Sequence, residues 1–182
     1  EMGKSFLKQI GMDENEKFIC LVVRDNTYLS SQYPEADFSY HDYRDSEISN
    51  YVQVSENLTK QGYWVFRMGK VVKNKFDLKN KRILDYANTT YRNDFLDIWL
   101  CAHCHFMISA GAGLDSIAVI FQRPIVYVNF LPHEWVNSCG EYNIIFKHLY
   151  WAKNMKELSL REIILHGAGL FVFSQEISLT QN

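Results

Sequence analysis

The sequence predicts an α/β fold, doubly wound around a mostly parallel sheet, and three observations carry that reading. Short, continuous apolar runs of strand length recur along the chain. Amphipathic or capped helical segments separate them. Several of these runs pass directly into arginine or into glycine-rich turns, as strands of an open parallel sheet do at their carboxyl ends. With 182 residues, 47% of them apolar and 22% charged, the chain can bury a core and falls outside disordered composition. Against 19 Lys and Arg stand 21 Asp and Glu, for a net charge of −2, so no basic surplus marks a nucleic-acid binder.

The elements follow in order. Residues 4–10 read as a short helix closing on Gly11. Phe18-Ile19-Cys20-Leu21-Val22-Val23 is a run buried on both faces, followed at once by Arg24 and Asp25. Residues 26–44 form a long polar and aromatic stretch with Tyr28, Tyr33, Phe38, Tyr40 and Tyr43, a length that usually serves function. A helix is expected from Asp45, with Ile48, Tyr51, Val52 and Leu58 on one stripe and Gly62 as its stop. Tyr63-Trp64-Val65-Phe66 is the second strand, leading to Arg67-Met68-Gly69. Six basic residues and one acid then occupy residues 70–82, the pattern of a solvated loop, with a nucleic-acid patch as the minority reading because the apolar and aromatic interleaving is thin. Ile83 to Tyr86 is a short strand. Asn93 or Thr90 caps a helix whose expected stripe is Phe95, Ile98, Trp99 and Ala102. Phe106 to Ser109 is the fourth strand and opens into Ala110-Gly111-Ala112-Gly113. The next helix is expected to bury Leu114, Ile117, Ala118 and Phe121 before Pro124 ends it. Ile125 to Val128 is the fifth strand. Beyond Asn129 the pattern decays into a loop, and Ser159 caps a final helix that closes at Gly167.

Cys101-Ala-His-Cys-His105 matches the pattern of covalent haem attachment, but it bridges a helix end and a strand start and reads as a chance match. Cys139 and His133 complete no zinc set, so neither metal nor cofactor is expected. The sequons at Asn57 and Asn88 carry no weight without a secretion signal. No apolar stretch reaches the ~20 residues of a membrane helix.

At the carboxyl edge of such a sheet, Arg24, Arg67 and the segment from Ser109 to Gly113 fall together. Glycines let backbone approach a diphosphate, helix-start N–H groups favour an anion, and guanidinium offers a fork for phosphate oxygens. The spacing is neither a P-loop nor a dinucleotide fingerprint, and there is no nucleophile elbow.

Leu-Val-Val-Arg-Asp25, Tyr43-Arg44, Tyr-Trp-Val-Phe-Arg-Met-Gly69, Tyr91-Arg-Asn-Asp-Phe-Leu-Asp97 and Ser109-Ala-Gly-Ala-Gly-Leu114 together resemble a family of bacterial glycosyltransferases. The resemblance covers roughly residues 3–170. It implies one Rossmann-like domain over residues 1–182, equivalent to the C-terminal, donor-binding half of a GT-B enzyme and part of a longer chain. It implies a nucleotide-diphosphate sugar as partner, metal-independent transfer, and a glycan or other acceptor held by a missing N-terminal domain. Surface polysaccharide or glycoconjugate synthesis is the implied setting. The implied location is the cytoplasm, with attachment to the inner membrane through other parts of the full protein. By position, Ser109, Gly111 and Gly113 would hold the diphosphate with Arg24 and Arg67. Asn93 and Asp94 would meet base or ribose, and Tyr43 and Arg44 would close over the sugar. Asp25 and His41 are the nearby proton acceptors, and neither is assigned as the base. A GT-B-like sugar-nucleotide epimerase and a non-catalytic Rossmann-like interaction module remain open beside this reading.

Overall fold

The structure, a computed structural model, describes residues 1–136 and 139–170. Its centre is a sheet of six parallel strands: β1 (Lys17–Val22), β2 (Tyr63–Met68), β3 (Ile83–Leu84), β4 (Met107–Ser109), β5 (Ile125–Phe130) and β6 (Tyr142–Phe146). Their order is β3-β2-β1-β4-β5-β6. Parallel neighbours need crossover connections, and those connections cover both faces of the sheet. The apolar runs of β1 and β2 are accordingly buried from their second residue onward.

Helix α1 (Met2–Gln9), α4 (Asp94–His103) and α5 (Asp115–Ile120) lie over one face, where Phe18, Cys20, Phe66 and Met107 meet Phe6, Leu96, Leu100 and Ala118. Helix α1 comes so close to α4 that a Cβ on Gly3 would sit 2.1 Å from the Trp99 ring. Over the opposite face lie α3 (Val52–Lys60) and the crossover of residues 69–82, with Ile48, Tyr51, Phe76 and Leu78 against Ile19, Leu21, Val65 and Ile108. Helix α2 (Thr27–Gln32) interrupts the long aromatic stretch, and α6 (Leu160–Leu165) packs Ile163 with Leu158 and Ala168 in a small cluster of its own. The α6 cap is as expected: Ser159 Oγ accepts from Glu162 N–H, and Glu162 reaches back to the Ser159 N–H.

Four expectations need correction. The sixth strand, β6, had no continuous apolar run because it is an edge strand with alternate residues exposed. No single helix begins at Asp45: a 3₁₀ turn Ser39–Arg44 and a second, Ile48–Tyr51, precede α3. Helix α4 buries Leu96, Asp97, Leu100, Cys101 and Ala102, while Phe95 and Ile98 are each 50% exposed. Both of its faces are apolar in sequence, so periodicity alone does not choose between them. Helix α5 ends before Phe121, which is 48% exposed. Cys101 and Cys104 are both fully buried, so no porphyrin vinyl group reaches either thiol.

Candidate functional site

The chain leaves β1 toward β2 on one side, and β4 toward β5 on the other. The crevice at the carboxyl ends of β1 and β4 is therefore the topological switch point, where open α/β sheets bind ligands. Val22 pairs with Ser109 at this edge. Two cavities open beside it, of about 500 and about 540 Å³, and they share Arg24, Ala112 and Gly113. The first has an apolar floor of Val22, Val23, Met68 and Val72, with Lys70, Arg92, Asp94 and Asp97 around it. The second is lined by Arg44, Asp115, Tyr127, Phe130 and Trp135.

The turn between β4 and α5 is held from within. Ser109 is fully buried; its hydroxyl donates to Asp115 Oδ1 (2.6 Å) and accepts from the Gly111 N–H (3.0 Å). The Ala112 N–H donates to Asp115 Oδ2 at 2.9 Å. Ser109 thus shapes the turn from within, its hydroxyl already engaged as donor and as acceptor. Burial pushes the Asp115 carboxyl up to about 6, against the pull of these two donors and of Arg44. Gly111 has φ +78, a conformation that needs glycine, whereas a Cβ on Gly113 would meet nothing within 4 Å. The fold does not require glycine at 113; open space there suits a closely approaching ligand. Among the described residues, the N–H groups of Gly113 and Leu114 have no acceptor. With only six residues, α5 offers little dipole, so these two N–H groups are what the turn supplies to an anion.

Two guanidinium groups frame the turn. Arg24 Nη1 donates to Asp45 Oδ1 (2.6 Å) and to the His41 carbonyl (3.3 Å), with a side chain 9% exposed. Arg44 Nη2 donates to the Gly111 carbonyl at 3.0 Å, and its guanidinium lies 4.9 Å from the centre of the Trp135 ring. Arg44 Nε is buried with no acceptor among the described residues. Burial, and then the nearby charge of Arg24, lower the Arg44 pKa. Lys147 Nζ ties this corner together through the carbonyls of Tyr43 (2.7 Å) and Asp45 (3.4 Å), and burial lowers its pKa too.

Arg67 does not join them. It lies inside β2, is 1% exposed, and donates from Nη1 to Asp85 Oδ1 at 3.1 Å. Asp85 Oδ2 in turn accepts from the Phe76 N–H (2.8 Å) and Asn88 Nδ2 (2.7 Å), so this pair fixes the crossover and lines neither cavity. Asn93 is occupied as the α4 cap, accepting from the Leu96 N–H at 2.9 Å and donating to the Tyr91 carbonyl at 3.0 Å. Asp94 does line the first cavity. Tyr43 lines neither cavity and contributes through its backbone carbonyl. Asp25 spends both carboxylate oxygens on the N–H groups of Thr27 and Lys73.

Sequence reasoning missed Arg92 and Asp97, joined at 2.7 Å, as well as Trp135 and Lys147. The first pair was visible in Tyr91-Arg-Asn-Asp-Phe-Leu-Asp97, which spans a helix start. Trp135 and Lys147 lie where the sequence pattern had decayed, and nothing there announced them. Among the described residues no group of three or more His, Cys, Asp or Glu could hold a metal ion, and no helix is long and apolar enough to cross a membrane.

Comparison with solved structures places this architecture. The chain is similar to ADP-heptose LPS heptosyltransferase II of E. coli, with a TM-score of 0.51 and 12% identity, covering 100% of this chain and 52% of that one. The fold is glycosyltransferase-like. At that identity the likeness concerns fold alone: a six-stranded parallel, Rossmann-like sheet with flanking helices, spanning about half the length of the matched enzyme. No protein-family model and no curated protein matches the chain.

Proposed function

We propose that this chain is the donor-binding domain of a glycosyltransferase, holding a nucleotide-diphosphate sugar across its two cavities. The observation that carries the reading is the ridge between them. Arg24 and the free N–H of Gly113 sit on it, with the unpartnered Arg44 Nε alongside. A buried donor without an acceptor is costly, and two neighbouring guanidiniums repel; an anion at this ridge relieves both. The nucleoside would rest on the apolar floor of the first cavity, with Asp94 accepting from its hydroxyl groups. The sugar would face Trp135 and Phe130 in the second.

In transfer, the acceptor oxygen bonds to the anomeric carbon as the bond from that carbon to the diphosphate oxygen breaks, its electron pair leaving on the diphosphate. The acceptor's proton passes to a general base. Arg24, Arg44 and the turn N–H groups stabilise the departing charge, the task a divalent cation performs elsewhere, so the reaction is proposed to be metal-independent. The likeness to an enzyme named for ADP-heptose and LPS supports a role in surface glycoconjugate synthesis, in company with an acceptor-binding domain.

A thermal-shift titration with UDP, GDP, ADP, CMP and their sugar conjugates tests the reading. One nucleoside diphosphate should stabilise the protein, by about 2.7 kcal/mol at a hundredfold excess over Kd. Arg44→Met should weaken that ligand by about 1.5–3 kcal/mol, the range for a charged hydrogen bond. Equal binding by both proteins, or no shift at millimolar ligand, would overturn it.

A further inference from the structure

Residues 70–82 hold six of the chain's 19 Lys and Arg and one of its 21 Asp and Glu. Thirteen residues therefore carry a net +5, while the remainder of a chain of net charge −2 carries −7. The donor site absorbs little of this, since of the six only Lys70 lines either of its two cavities. Lys73 has Glu47 at 3.3 Å and Arg82 has Glu16 at 2.5 Å, but Lys75, Lys79 and Lys81 are exposed and form no ion pair among the described residues.

The segment is held in place along its length. It runs as the crossover from the carboxyl end of β2 to the amino end of β3, the edge strand of the sheet. Phe76, 3% exposed, plugs it into the core beside Leu78. The Lys73 N–H donates to Asp25 (3.2 Å), the Phe76 N–H to Asp85 (2.8 Å) and Asn80 Nδ2 to Thr59 Oγ1 (3.0 Å). The last of these sets the lower end of the loop against the final turn of α3, where exposed Lys60 adds to the same strip. A fixed ridge of lysines thus lies along one edge of an otherwise acidic molecule, beginning at the mouth of the first cavity.

The chemistry of that ridge selects its partner. Its one aromatic side chain is buried, so it offers no face on which a nucleic-acid base could stack. Neither cavity extends beneath Lys75, Lys79 or Lys81, so a glycan chain has no groove to follow there. Point charges on a ridge, with Phe76 and Leu78 turned inward and only Val71 exposed beside the cavity mouth, suit a flat and diffuse anionic surface that asks chiefly for Coulomb attraction. We propose that residues 70–82 dock the protein on an anionic phospholipid bilayer, with the mouth of the first cavity at one end of the contact.

Vesicle co-sedimentation tests this without reference to nucleotide binding, so it stands or falls apart from the donor-site reading. Wild-type protein should sediment with vesicles of phosphatidylcholine containing phosphatidylglycerol and remain in solution with phosphatidylcholine alone. Binding should fall steeply when salt is raised to about 0.5 M, where exposed charges are screened. A Lys75→Gln/Lys79→Gln/Lys81→Gln variant should partition at least about tenfold less, and the corresponding triple Glu variant less still. Unchanged melting temperatures establish that both variants fold, since among the described residues none of the three lysine side chains makes a hydrogen bond or ion pair. Equal sedimentation with neutral and anionic vesicles overturns the proposal, as does a triple variant that binds like wild type. Capture by a soluble polyanion such as heparin, with no vesicle binding, also overturns it.

Discussion

At the carboxyl end of β1 the chain leaves the sheet, and Arg24 stands two residues beyond it, lining both cavities and sharing its corner with Arg44. At the carboxyl end of β2, Arg67 is still in the ladder opposite Leu21 and closes on Asp85 with 1% exposure. Both arginines follow an apolar run, and in sequence they look alike. The difference is register. Inside a strand, side chains alternate between faces, and Arg67 shares the α3 face with Val65, where Asp85 meets it. Past the strand end that alternation no longer binds the side chain. One region therefore locks the crossover, while the other sets a guanidinium at the rim of both cavities.

The sharpest way to break this contrast is at the lock. Asp85→Ala should strand a buried guanidinium and the Phe76 N–H, destabilising the protein by about 3–5 kcal/mol in urea unfolding. Arg67→Met should cost less than Asp85→Ala, because it removes the buried charge itself. Protein of either variant that remains folded should bind the same nucleotide with unchanged affinity. If Arg67→Met instead lost the ligand at full stability, the division of labour would be wrong.

The carboxylate on the other side of the comparison, Asp115, faces a hydroxyl and an N–H where Asp85 faces a guanidinium. Its folded value of about 6 lies above the 3.8 of a free carboxyl. Between those values the folded state binds more protons than the unfolded one, so its contribution to stability is present below about pH 4 and is lost as pH rises through 6. The loss is on the order of 2–3 kcal/mol. Asp115→Asn should abolish that share of the pH dependence, read as the difference between wild-type and variant unfolding free energies at acidic and neutral pH. Parallel pH profiles would show that Asp115 does not hold the proton.

The smallest expected effect separates the two glycines of the turn. Gly113→Ala should leave stability within about 0.5 kcal/mol, as at an unconstrained surface site, yet weaken the nucleotide roughly tenfold by standing in its path. Gly111→Ala forces a side chain into the left-handed region at φ +78 and should cost about 1–2 kcal/mol of stability. A neutral Gly113→Ala in a binding titration would move the ligand off the ridge.

Much of the frame was legible because its signals are local. Phe18 to Val23 and Tyr63 to Phe66 could hardly be anything but buried parallel strands, and Asn93 and Ser159 announce their helices by capping. The edge strand β6 was hidden because half of its residues face solvent. The face of α4 was misread because Phe95 and Ile98 are as apolar as Leu96 and Leu100. At the candidate site the sequence put Arg24 and the Ser109–Gly113 turn at the carboxyl edge of the sheet, where they lie, but could not apportion the polar groups around them. Whether Ser109 meets a ligand or Asp115, and whether Arg67 meets a phosphate or Asp85, is decided by pairings across the chain that no local pattern records.

Because Cys20 pairs with Met107 while β1 also pairs with β2, the ridge between the cavities exists only after a long stretch of chain has been looped out and returned. Closing that loop costs more entropy than forming the local α–β units on either side of it, and contacts so distant in sequence are slow to form. The β1–β2–β3 half can gather first around the lock, and the ridge is completed as β4 arrives beside β1. A nucleotide that recognises the ridge would then report on the arrival of β4 beside β1, and during refolding its capture should lag behind the burial of Trp64 in β2.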